Sequence, residues 1–145
     1  MNSENKYETG IFLRALAAWF VIILGETLHG IARTALLQPY IGDFRARQIA
    51  VFSGTLIIIT IAVILIRWIN ANSKSQLLII GTLWVCLTIC FEIGLGTLIL
   101  GYSWERMLSD YNLAKGGLLA IGMVALFFAP LIAAKIRGLK EPVIV

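Results

Sequence analysis

Apolar residues fall in four long stretches, at 11–37, 49–69, 77–101 and 116–135, separated by short polar runs. Each stretch reaches the roughly 20 residues a helix needs to cross a hydrocarbon core about 30 Å thick. Backbone polar groups in lipid must be satisfied within their own segment, so each is predicted to be a helix. The opening run MNSENKYETG is polar and mixed in charge. The stretch after it is long and carries a Glu-His-Arg set, which predicts a retained helix rather than a cleaved signal peptide.

The connections are brief. The run 38–48 holds Pro39, Gly42, Asp43, Arg45 and Arg47 and is read as a loop, as is 70–76. In 102–115, Trp104, Met107, Leu108 and Tyr111 recur at helical spacing, with Glu105, Arg106, Ser109 and Asp110 between them. A short interfacial helix is predicted there, anchored at headgroup level by Trp104 and Tyr111. Short links place consecutive helices antiparallel, so the expected fold is all-α: one domain over 1–145, an integral membrane up-down four-helix bundle.

Composition agrees. Of the 145 residues, 59% are hydrophobic and 14% charged, against roughly 25% charged in soluble domains. This excludes a soluble enzyme, a disordered chain and a nucleic-acid-binding surface. The partners expected are the lipid bilayer, and a homo-oligomer or a larger membrane complex. Two cysteines are too few for a disulfide framework. An even number of spans puts both termini on one side. Lys6, Arg14, Arg67, Lys74, Lys135, Arg137 and Lys140 collect there, against Arg33, Arg45, Arg47, Arg106 and Lys115 opposite. The excess predicts cytoplasmic termini in a bacterial inner membrane.

Two patterns suggest a diverged repeat of helical hairpins. Glu26 and Glu92 each begin E-x-x-x-G, and Asp43-Phe44 and Asp110-Tyr111 follow at similar distances. Parallel repeats of this kind occur in transporters.

The strongest signal is Glu26-Thr27-Leu28-His29-Gly30-Ile31-Ala32-Arg33. At 100° per residue, Glu26, His29 and Arg33 fall within about 60° of one another, and Trp19 and Ile22 continue the stripe. A charge deep in lipid costs from about 2.5 kcal/mol upward, so these groups should face the bundle interior. Glu92 is the only ionisable group in the third stretch apart from its cysteines and sits at a similar depth, roughly 15 Å at 1.5 Å per residue. Thr88 and Gly96, four residues either side, leave room for a neighbouring helix. Glu26, His29, Arg33 and Glu92 are therefore expected to line one polar chamber as a coupled binding network, with Arg33 as counter-charge to both acids. Asp43, Arg45, Arg47, Trp104, Glu105, Arg106, Asp110 and Tyr111, from the two connections on that side, form a secondary candidate set.

Several chemistries use this chamber. Transport employs Glu26 and Glu92 as proton acceptors, His29 as relay and Arg33 as counter-charge. A structural reading makes the set an ionic network within a non-catalytic membrane subunit or scaffold. An enzyme acting on a lipid headgroup would use His29 as general base oriented by Glu26, but no nucleophile motif accompanies them. Glu26-x-x-His29 matches the metal element of di-iron bundles; one histidine cannot complete that site, nor bis-histidine haem ligation, and Arg33 opposes a metal. No cofactor is named by the sequence. The leading expectation is binding or movement of a small polar or amphipathic solute, or of protons. Cys86, Cys90, Gly94, Thr97 and Gly101 share another face, predicted as a small-residue packing seam.

Overall fold

A computed structural model describes residues 3–139 and is all-helical among them. Six helices run in order: α1 (Ser3–Ala32), α2 (Gln38–Ile41), α3 (Asp43–Ile69), α4 (Lys74–Gly94), α5 (Trp104–Ser109) and α6 (Leu119–Ile136). π-helical turns extend two of them: Arg33–Leu37 joins α1 to α2, and Leu95–Ile99 extends α4. Four helical segments are long and apolar enough to cross a membrane: Ser3–Ile41, Asp43–Ile69, Lys74–Ile99 and Leu119–Ile136.

The boundaries differ from expectation in three places. The first helix begins at Ser3, so the polar opening is its first turns. The predicted loop 38–48 is almost wholly helical. Pro39 has no N–H to continue the ladder, and the chain widens into the π turn just before it. Gly42, at φ 82° and ψ 159°, supplies the only break before α3. The fourth span starts at Leu119 because Gly116, at φ 84°, ends a preceding 3₁₀ turn. The short helix expected near Trp104 is present, and Ser103 caps it by accepting from the Arg106 N–H at 3.3 Å.

Packing is uneven along the bundle. α3 and α6 form the central pair, α1 lies against α3 and α4 against α6, while α1 and α4 touch only briefly. The second and third spans, consecutive in the chain, share no extended contact, which departs from a simple up-down ring. The connection between them reaches roughly 15 Å when extended, enough to step across the bundle.

Fully buried apolar side chains concentrate in the half nearest the termini: Ala15, Ala18 and Ile22 of α1, Ala62, Ile66 and Ile69 of α3, Trp84 of α4, and Leu126 and Ala129 of α6. Two tryptophans lace α1 to α4 there. Trp84 Nε1 donates to the Ala15 carbonyl at 2.9 Å, and Trp19 Nε1 donates to Thr88 Oγ1 at 3.0 Å. Beyond Ile22 and Thr88 the helices separate, and the opposite half encloses a cavity instead of a core.

The close helix approach lies elsewhere than predicted. Cys86 and Cys90 are exposed, and a Cβ on Gly94 would meet nothing within 4 Å. That face is therefore no seam within the bundle. Gly81 takes the role: a Cβ there would collide with the backbone carbonyl of Phe127 on α6.

Candidate functional site

The cavity has a volume of about 1060 Å³ and is lined by α1, α3, the end of α4, α5 and the start of α6. Its inner walls are apolar, with Ile22, Ile23, Ile58, Met123 and Leu126. Glu26, His29, Arg33 and Glu92 all line it, as do Arg47, Trp104, Arg106, Asp110 and Tyr111 nearer the α5 end. Of the secondary set, Arg45 and Glu105 are exposed and stand outside it, and Asp43 is not part of its lining.

Each acid is seated by a local feature. Glu26 lies against Gly54 of α3, where an added Cβ would come within 2.7 Å of its Oε2. The missing side chain is what gives the carboxylate room. Glu26 Oε2 stands 3.6 Å from His29 Nδ1, and Glu26 Oε1 is buried without a hydrogen-bond partner. The other ring nitrogen of His29, Nε2, is 2.8 Å from Ser53 Oγ. On the facing wall, Tyr111 donates its hydroxyl to Glu92 Oε2 at 3.0 Å. Burial and the adjacent Glu92 carboxylate push the Tyr111 phenol above its ordinary value. Tyr111 thus reaches into the cavity from the 102–115 connection, its hydroxyl held on a carboxylate rather than free for the headgroup contact expected.

Arg33 departs from its expected role. Its Nη1 lies 3.5 Å from Asp43 Oδ1, so its counter-ion is the first residue of α3 and not the glutamate pair. Asp43 also receives Arg47 Nε at 3.1 Å and Arg106 Nη2 at 3.2 Å. Arg47 Nη1 in turn contacts Asp110 Oδ1. The two aspartates matched in the sequence pattern therefore meet on one guanidinium. Three arginines against two aspartates leave one positive charge at the mouth, above the two glutamates. The Arg106 guanidinium stacks 3.8 Å from the Tyr102 ring centroid, which fixes its plane.

Sequence reasoning missed Ser53, Gly54, Gln48 and Tyr102. Gln48 Nε2 donates to the Gly116 carbonyl at 2.8 Å, tying α3 to the turn before α6. The Ser53-Gly54 pair interrupting an apolar run was the available signal. Among the described residues, no group of three or more His, Cys, Asp or Glu is placed to hold a metal ion. Comparison of the chain with protein-family models, curated proteins and solved structures finds no match.

Proposed function

We propose that the protein is a multi-pass membrane protein that binds, and in an oligomer moves, a small amphipathic solute within this cavity. The observation that carries the reading is the cavity itself: apolar walls and two glutamates together, closed at one end by Trp19 and Thr88 and reaching α5 at the other. An apolar pocket with a few convergent polar groups is the usual form of a small-molecule site. Glu26 and Glu92 would hold a cationic head or exchange protons with it, and Ile23, Ile58 and Leu126 would receive the apolar part.

The setting proposed is a bacterial cytoplasmic membrane, with both termini on the cytoplasmic side and the cavity opening away from them. The bundle is two diverged hairpins, and the shared Arg47 between Asp43 and Asp110 is what supports the pairing. A second reading, a non-catalytic subunit with a purely structural polar network, draws on the mutual pairing of the mouth residues.

A filled cavity separates the two. Gly30 lines the cavity, and a Cβ there would meet nothing within 4 Å. Gly30→Trp should retain the thermal melting of the parent while weakening binding of a medium-chain alkylamine at least about tenfold, near 1.4 kcal/mol, by native mass spectrometry. Equal alkylamine binding by parent and Gly30→Trp, or none by either, would leave the structural reading.

A further inference from the structure

On the α3 side of His29 lies a second, smaller crevice of about 240 Å³, lined by His29, Arg33 and Ser53 together with Leu36, Leu37 and Ile49. We infer that Ser53, His29 and Glu26 form a serine-nucleophile relay in this crevice that cleaves acyl esters, with Arg33 placed to receive the charge that develops on the carbonyl oxygen. The geometry is that of nucleophile, base and orienting acid in sequence. Ser53 Oγ is 2.8 Å from His29 Nε2, and the opposite ring nitrogen, Nδ1, is 3.6 Å from Glu26 Oε2. Such a set is recognised by the roles of its atoms rather than by sequence order, and its contacts are commonly looser before substrate binds.

The state of the Ser53 hydroxyl is the second observation. Hydroxyls in apolar helices ordinarily bond back to the carbonyl four residues earlier. Thr27, Thr55, Thr60, Thr82 and Thr97 do so at 2.6–2.9 Å. Ser53 Oγ stands off at 3.4 Å from the Ile49 carbonyl and 3.5 Å from that of Ala50, and its short contact is the imidazole. A proton on Nδ1, facing Glu26, leaves Nε2 as the acceptor that the relay requires. The third observation is Arg33, which lines the crevice beside His29 and Ser53 and whose Nη1 makes no hydrogen bond, its nearest acid being Asp43 at 3.5 Å. A guanidinium carries five N–H donors, and those not directed at Asp43 are what stabilisation of an oxyanion needs.

The steps balance with water as the only co-reactant. Ser53 Oγ attacks the ester carbonyl carbon as its proton passes to His29 Nε2. The bond to the alkoxy oxygen breaks, and that oxygen leaves with the proton from Nε2. Water then attacks the acyl-Ser53 carbonyl and gives its proton to Nε2. The bond between the acyl carbon and Oγ breaks, Oγ recovers the proton, and a carboxylic acid departs. Glu26 touches no reacting atom and is a positioning residue for the ring. Leu36, Leu37 and Ile49 suit an acyl chain, so the substrate class is an ester with an apolar acyl group arriving from the bilayer.

The crevice shares His29, Arg33 and Ala50 with the large cavity, but Ser53 lines only the crevice and Gly30 only the cavity, so labelling at Ser53 is read apart from solute binding. The test is covalent. The full chain in lipid nanodiscs is treated with an alkyl fluorophosphonate, and the adduct is located by peptide mass spectrometry. The expected adduct is on Ser53, is retained in Gly30→Trp, and forms about a hundredfold more slowly in His29→Gln. Glu26→Gln should slow labelling and change the shape of its pH profile while leaving thermal melting in place. A short-chain acyl ester should be hydrolysed by the parent and not by Ser53→Ala. Failure of the parent, folded by its melting transition, to take the label on Ser53 overturns the relay and leaves Ser53 as a hydrogen-bonding spacer between α1 and α3.

Discussion

At the scale of single residues, one arginine, Arg47, ties the start of α3 to the turn after α5 through Asp43 and Asp110. Arg45 and Arg47 look alike in the chain, two apart in a basic run. Only Arg47 turns inward to bridge Asp43 and Asp110, while Arg45 is exposed. Arg47→Ala should destabilise by roughly 1–3 kcal/mol, because it leaves Asp110 without its ion-pair partner. Arg45→Ala should stay within about 0.5 kcal/mol, as surface changes do. Thermal melting in detergent measures both. The sequence also made Arg33 the partner of Glu26, and the structure pairs it with Asp43. A double-mutant cycle on Arg47→Ala and Asp110→Asn should therefore give a coupling of about 0.5–3 kcal/mol, while Arg33→Ala with Glu26→Gln adds nearly independently. Spacing along one helix showed which residues share a face. It carried no information on Asp43, whose position at the start of α3 depends on a break at Gly42.

Tyr111 belongs to the same scale. Its hydroxyl is held on Glu92, and its phenol sits above the ordinary tyrosine range because of burial and that carboxylate. A group bound more tightly to its proton in the folded state contributes stability that is complete below its unfolded pKa, near 10, and is lost as pH rises toward the folded value. Ultraviolet titration of the four tyrosines should show one that resists ionisation after the others, and Tyr111→Phe should remove it. The same substitution leaves Glu92 Oε2 without its donor and should cost on the order of 1–3 kcal/mol.

At the scale of elements, periodicity and length were enough to place four long helices and the short one near Trp104, because each is an uninterrupted apolar or amphipathic run. Boundaries were less legible. A run containing Pro39, Gly42 and three charges reads as a loop, yet Pro39 sits at a helix start and Gly42 alone makes the turn. Nor did composition distinguish one glycine from another. Gly94 and Gly81 both lie in α4 among small residues, but only Gly81 faces a neighbouring backbone. Gly81→Ala should destabilise by roughly 1–3 kcal/mol by forcing α4 from α6, whereas Gly94→Leu should be close to neutral. Neutral behaviour at Gly81 would contradict the close approach of α4 to the Phe127 carbonyl of α6.

At the scale of the whole molecule, the division of the bundle explains why a small chain can hold a cavity. Tight packing around Trp84, Ile66 and Leu126, with the two indole hydrogen bonds, fixes α1 and α4 at one end. The other end is held by charge instead, through Asp43, Arg47, Arg106 and Asp110 from α3, α5 and the following turn. Between them the walls need not meet. The sequence placed Glu26 and Glu92 at one depth, and that depth is where the walls part. What it lacked was the pairing of helices: α1 against α3 and α4 against α6, with little between α1 and α4, is set by which small residues oppose one another in space.

The central claim is a cavity that opens toward α5, is closed toward the termini and accepts an amphipathic solute. Gly30→Cys, with Cys86 and Cys90 replaced by serine, reports on it directly in sealed vesicles. A membrane-impermeant maleimide should modify Gly30→Cys only from the α5 side, and a medium-chain alkylamine should slow that reaction. Equal modification from both sides, or a rate unchanged by the alkylamine, would contradict the account.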